Sequence, residues 1–291
     1  MTTFHHPIPL IEQLAPVIRQ CWEMGWHESN AGNVSWRVPP LEAQAMLPGI
    51  EAHAGDVVAL PQPHASLDGD YFVLSGSGEY FRKAMERPNE VFGIVRIVDG
   101  GTGYQQLWGF EGGAQPTSEF ATHLIAHAIR KRVSDGRERI VFHCHPPELI
   151  TLSFLLPFDS AELSLTLWQK MPECIVFFPD GVRVVPPLLP GTTTIADASA
   201  VELEHGRIVS WSHHGLFVSE ASPDSVFALV ESIEKACGIH RRILSAGGPQ
   251  HAIGLDLLRE LTDMWRHAMV CEPAFLIEAE RRQEQRRLAT A

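Results

Sequence analysis

The segment Arg139–His145, RIVFHCH, does most to limit what this chain can fold into. It reads as a strand, on which alternate side chains share a face, so His143 and His145 project together while Cys144 points away. Two imidazoles side by side make half of a metal site. Alone, such a pair is also what a satisfied core histidine beside an exposed one looks like. A second cluster, SHHG at 212–215, lies on another expected strand, Ile208–Val218, and would supply a third histidine. Three histidines with one open position are the pattern of a catalytic zinc. Spacing does not choose between His213 and His214, nor does it show that the two strands adjoin.

Around these segments the pattern alternates between helix and strand. Apolar residues at helical spacing predict an amphipathic helix over 9–24, ended by Gly25. Tyr71–Leu74 is a strand entering SGSG, and Val91–Val98 and Tyr104–Phe110 flank the DGGTG turn as a hairpin. A helix is expected from about Ser118 to Val133, with Thr117 or Ser118 as its cap. Cys174–Phe178 and Val182–Val185 read as two strands joined through Pro179-Asp180-Gly181. Helices are expected near 147–155, 160–171 and 194–205. Ser222-Pro223 starts a strong helix to about Ser245, and another lies near 254–268, followed by a charged tail. Residues 38–70, rich in Pro, His, Asp and Gly, read as an insertion, and 249–291 as a C-terminal extension. The expected architecture is one α/β domain over 1–291, its mostly antiparallel sheet lying between helical layers.

Composition narrows the function. A chain of 291 residues buries a core without needing a structural metal, so a metal here would serve chemistry. The formal charge of -12 argues against nucleic acid or an anionic membrane as partner. The five cysteines are widely spaced with no CxxC, which argues against a disulfide framework or a thiolate zinc site. No leader or bilayer-length apolar stretch is evident, so a cytoplasmic location is expected.

Three small motifs suit an anion. Thr117 and Ser118 precede a helix whose first N–H groups and dipole favour phosphate, with Glu119 at the same helix start. SGSG at 75–78 and NAGN at 30–33 are small-residue loops whose backbone N–H groups can approach a phosphate. Each is equally an ordinary turn or helix start, and none matches a P-loop or dinucleotide fingerprint.

Taken in order, NAGN, SGSGEYFR, VDGGTGYQQLWGF, PTSE, HCH, ECIVFFPDGV, PGT and HHGLF resemble the class II aldolase and adducin-like family over roughly residues 10–245. Within that family, GTGYQQLWG and ECIVFFPDGV resemble the branch that cleaves rhamnulose 1-phosphate. The resemblance implies one zinc ion per subunit on His143, His145 and His214, the last being the histidine directly before glycine. It implies Glu119 as the catalytic acid, also touching the metal at rest, and Glu173 as an acid presented from a neighbouring subunit. Asn30, Gly32, Asn33, Ser77, Gly78, Thr117 and Ser118 match the substrate-phosphate cradle. The implied activity is reversible cleavage of a ketose 1-phosphate to dihydroxyacetone phosphate and L-lactaldehyde through a zinc-stabilised enediolate, in a homotetramer. Fuculose-1-phosphate aldolase, pentulose-phosphate 4-epimerase and sugar-phosphate dehydratase activities are the alternatives, and a non-catalytic adducin-head-like module is a more distant one. Ala31 stands where the family has glycine, at the expected cost of a strained positive φ. His213 replaces an aromatic and is a competitor for the metal.

Overall fold

The computed structural model describes residues 8–290. In chain order these form α1 (Pro9–Glu23), β1 (Asn33–Val38), α2 (Pro40–Met46), β2 (Val57–Ala59), β3 (Tyr71–Ser75), α3 (Pro88–Val91), β4 (Phe92–Val98) and β5 (Gly103–Gly109). Then follow α4 (Phe120–Val133), β6 (Ile140–Cys144), α5 (Pro147–Leu152), α6 (Ser160–Trp168), α7 (Cys174–Phe177), β7 (Arg183–Val185) and α8 (Thr193–Leu203). The chain finishes with β8 (Ile208–Trp211), β9 (Gly215–Glu220), α9 (Pro223–Ser245), α10 (Leu255–Trp265) and α11 (Ala274–Thr290). The strands form a nine-stranded sheet of order β2-β5-β4-β3-β1-β6-β9-β8-β7. Pairings β1–β3, β1–β6, β2–β5, β3–β4 and β4–β5 are antiparallel, and β7–β8 is parallel. The α/β architecture with a mostly antiparallel sheet is the one the sequence predicts.

The chain packs as two compact units, one comprising the chain up to His145 with Leu189–Ala200 and Phe217–Phe227. In this unit α1 ends as expected at Gly25, with φ +78, in a Schellman-type closure: Trp26 N donates to Cys21 O and Gly25 N to Trp22 O. Strands β3 and β6 are buried on both faces. Phe72, Leu74, Val95 and Ile97 from the sheet pack with Phe120 and Leu124 of α4, so the helix that follows Glu119 is clamped by apolar burial at its first turn. β2, inside the expected insertion, extends the sheet edge by pairing with β5.

The other unit comprises Pro146–Leu188, Val201–Leu216 and Ala228–Ala291. Its polar groups are tied locally: Ser164 Oγ accepts from Val182 N at 2.9 Å, and Glu148 pairs with Arg241 through both carboxylate oxygens. The charged tail forms α11, whose Phe275 ring lies 6.5 Å from Trp168 and closes on Gly181. The apolar residues Phe275 and Leu276 give that otherwise charged stretch a face to bury.

Four expectations are corrected. Cys174–Phe178 is no strand: Val176 N and Phe177 N both donate to Glu173 O at 3.0 Å, closing a helical turn, and so short an apolar run does not separate the two states. Ile208–Val218 is two strands, broken where His214 N donates to Trp211 O and His213 takes φ +64. The cap position of α4 is Glu119, not Thr117 or Ser118, because the helix begins at Phe120; Thr117 Oγ1 accepts instead from Glu119 N at 3.4 Å, ahead of the first turn. Ala31 escapes the left-handed region, which is occupied instead by Ser29 and Gly32.

Candidate metal and substrate site

The antiparallel register of β1 and β6 sets Asn33 opposite His143, and this pairing organises the site. His143 is buried at the end of β6, and His145 follows it, anchored by its backbone N–H to Trp26 O at 2.8 Å. Their Nε2 atoms lie 3.2 Å apart, as the shared strand face predicts. Ring nitrogens of His143, His145 and His214 all lie within 4.8 Å of one another. His213 is engaged elsewhere. Its ring stacks on Phe154 at 3.8 Å, and its Nε2 and backbone N–H meet Ser153 at 3.2 and 2.9 Å.

The sequence reading missed Glu28, whose Oε1 is 2.7 Å from His145 Nδ1. A carboxylate there holds the ring proton on Nδ1 and leaves Nε2 with its lone pair, the usual arrangement behind a metal-bound histidine. Three imidazoles grouped this closely fit a divalent cation of zinc's kind. The signal was present in HESNAGN, but nothing local ties residue 28 to residue 145. Gly32 is fixed more tightly still. It takes φ +80, and a Cβ would fall 2.2 Å from His27 Nδ1 and 2.9 Å from His143 O, so no side chain fits where this loop crosses β6. The His27 ring, pushed down to about 3 by burial and then by His145, stays neutral against Ala31 O.

Glu119 is buried, and Asn33 Nδ2 donates to its Oε2 at 2.8 Å. Burial raises its carboxyl above the ordinary range, with the Asn33 bond and then His145 opposing. A carboxyl shifted this way exchanges protons closer to neutrality, which suits general acid–base work. Behind Asn33 lies a buried series also missed from sequence: His123 Nε2 is 2.5 Å from Asn33 Oδ1, and Ser35 Oγ lies 2.7 Å from His123 Nδ1 and 2.8 Å from His127 Nε2. The legible clue was periodicity, since His123 and His127 stand four apart on one face of α4 and Asn33 and Ser35 alternate on β1.

The residues expected to hold a phosphate all fall in the first unit. Gly76 bridges to Pro116, Ser77 N donates to Gln115 O at 2.8 Å and Thr117 N to Ser75 O at 3.0 Å, so the SGSG and PTSE loops run side by side. Ser77, Gly78 and Ser118 are exposed and Thr117 is buried. Gly78 has φ +80 with open space beside it. Asn30 is exposed in the turn before Gly32. The backbone N–H of Ser77 is already used, which leaves its hydroxyl for a ligand. Glu173 is exposed at the start of α7 in the second unit. Among the described residues, no helix is long and apolar enough to cross a membrane.

The family model of the class II aldolase and adducin N-terminal domain matches residues 12–240. The chain is 35% identical over 243 residues to a rhamnulose-1-phosphate aldolase of Pectobacterium carotovorum, covering 81% of this chain and 86% of the relative. It is 34% identical over 261 residues to that of Enterococcus faecalis, covering 89% and 90%. Among solved structures, a sugar-phosphate aldolase from Thermotoga maritima superposes with TM-score 0.70 at 28% identity, over 82% of this chain and 97% of that one. An L-fuculose 1-phosphate aldolase at 16% identity, covering 91% of this chain and all of its own, shares the fold with TM-score 0.57. With the matched segment spanning most of the chain, this protein belongs to the class II aldolase and adducin N-terminal domain family.

Proposed function

We propose that this chain is a metal-dependent aldehyde-lyase that reversibly cleaves L-rhamnulose 1-phosphate to dihydroxyacetone phosphate and L-lactaldehyde, with zinc on His143, His145 and His214. The reading is carried by the grouping of those three ring nitrogens within 4.8 Å, in a chain whose relatives bear that activity in their names. When bound, zinc supplies a Lewis acid for the charge that develops on the C2 and C3 oxygens as the C3–C4 bond breaks.

The chain's own residues do the rest. Glu119, buried and shifted toward neutrality, gives or takes the proton at C3 of the dihydroxyacetone phosphate fragment. Thr117, Ser118, Ser77, Gly78, Asn30 and Gly32 hold the phosphate, and that remote binding energy orients the reacting carbons. Asn33 faces both jobs, since its amide N–H already steadies Glu119. Glu173, exposed, is assigned to the site of a second subunit, and the working form is a homo-oligomer, a tetramer by family resemblance.

The test combines metal analysis with a small panel of ketose 1-phosphates. Purified protein should carry about one zinc per chain; His214→Ala should lose most of it and His213→Ala keep it. Rhamnulose 1-phosphate should be turned over fastest. Preference for fuculose 1-phosphate, epimerisation or dehydration would move the chain to another activity of the same fold, and metal-free inert protein would make it an interaction module.

A further inference from the structure

We infer that Ser35, His123 and His127 are positioning residues: they form a one-directional hydrogen-bond chain that fixes which end of the Asn33 amide faces Glu119. The inference rests on the aldolase reading only for its consequence in catalysis. The direction follows from the buried groups themselves.

His127 is wholly enclosed, and its Nδ1 has no hydrogen-bond partner. A buried N–H without an acceptor is worse than a bare lone pair, so the proton sits on Nε2 and is donated to Ser35 Oγ at 2.8 Å. Ser35 has one hydroxyl hydrogen, and it goes to His123 Nδ1 at 2.7 Å. His123 therefore carries its own proton on Nε2 and donates to Asn33 Oδ1 at 2.5 Å. With its oxygen held there, Asn33 turns its Nδ2 to Glu119 Oε2 at 2.8 Å. Reversing any link would set a carbonyl oxygen against the carboxylate of Glu119. Both rings are held neutral by burial, His123 at about 3, so no change in ordinary pH breaks the order. The members span α4 and β1, over 80 residues apart in sequence, so the chain also ties the helix that starts at Glu119 to the strand that starts at Asn33.

Two measurements test this. In protein labelled with 15N at histidine, with His123→Gln and His127→Gln used for assignment, both rings should be neutral with the proton on Nε2; a proton on Nδ1 of His123 would overturn the proposal. In kinetics, His123→Leu removes the donor, while His123→Gln keeps an N–H near the Nε2 position. His123→Leu should lower kcat by up to about 10²-fold, a loss of the size that misplacing a catalytic group brings, with KM and bound zinc near wild type and His123→Gln in between. Wild-type kcat in His123→Leu would overturn the positioning role. If His123→Leu fails to fold, the ring tautomers and His123→Gln still decide. If the wild type itself acts on no ketose phosphate, the functional reading falls, while the tautomers still report whether the chain exists.

Discussion

Two buried glutamates show how differently the two units use the same side chain. Burial pushes both Glu119 and Glu234 above the ordinary carboxyl range. Glu234, on α9, accepts from Glu148 N at 2.8 Å on one oxygen and Leu149 N at 3.0 Å on the other, so it caps α5 and is closed on itself. Glu119 is steadied by a single side-chain amide on Oε2 and sits beside the histidine group. The raised carboxyl is common to both, so the shift alone does not mark a catalytic acid; what differs is the partners. The second unit repeats the lesson at His213, whose ring is occupied by Phe154 and Ser153.

The largest effect should separate the two carboxylates in rate. Exchange of the C3 proton of dihydroxyacetone phosphate with deuterated water, followed without aldehyde, should fall on the order of 10²–10⁴-fold in Glu119→Gln, the usual cost of losing a positioned acid–base group. Glu234→Gln should exchange near the wild-type rate. Equal losses in both would erase the distinction, and wild-type exchange in a zinc-loaded Glu119→Gln would assign the base elsewhere.

A smaller effect tests the exposed exception in the second unit, Glu173. Subunits carrying Glu173→Ala and His143→Ala, each nearly inactive alone, should recover part of the activity when mixed, because some sites then combine an intact metal group with an intact neighbour. A fully active monomer by light scattering and assay is the outcome that removes Glu173 from the chemistry.

The smallest effect is in stability, where the two substitutions should have opposite signs. A carboxyl whose folded pKa is raised favours the fold below the unfolded carboxyl value and loses that contribution as pH rises through the folded value. At neutral pH Glu119 therefore burdens the metal-free fold, and Glu119→Gln should raise its thermal midpoint, the gain shrinking toward pH 4. Glu234→Gln removes the same burden but turns an amide N–H toward one of the two helix-start N–H groups. Leaving such a group unsatisfied costs about 1–3 kcal/mol, so its midpoint should fall. Midpoints by calorimetry across pH would show it, and a rise in both would mean that Glu234 is no cap.

Local pattern reached much of this molecule. Alternation in RIVFHCH determined that His143 and His145 share a face, and Gly25 and Ser222-Pro223 marked real helix ends, with Ser222 Oγ accepting from Ser225 N at 3.2 Å. Family motifs named Asn33 and Thr117, both of which bond to Glu119. Periodicity reports only which side chains share a face over a few residues, so it misread CIVFF, where strand and helix patterns coincide, and it ran one strand through the turn at Ser212–His214. What only the tertiary structure decided is who meets whom: Glu28 at His145, and Asn33, His123, Ser35 and His127 in one line behind Glu119. Those contacts follow from the β1–β6 register and from where α4 lies against the sheet, and a hydrogen bond between residues some 90 positions apart leaves no trace in the neighbours of either. The protonation order of that line is a tertiary property in the same sense, since it starts from a ring nitrogen that folding leaves without a partner.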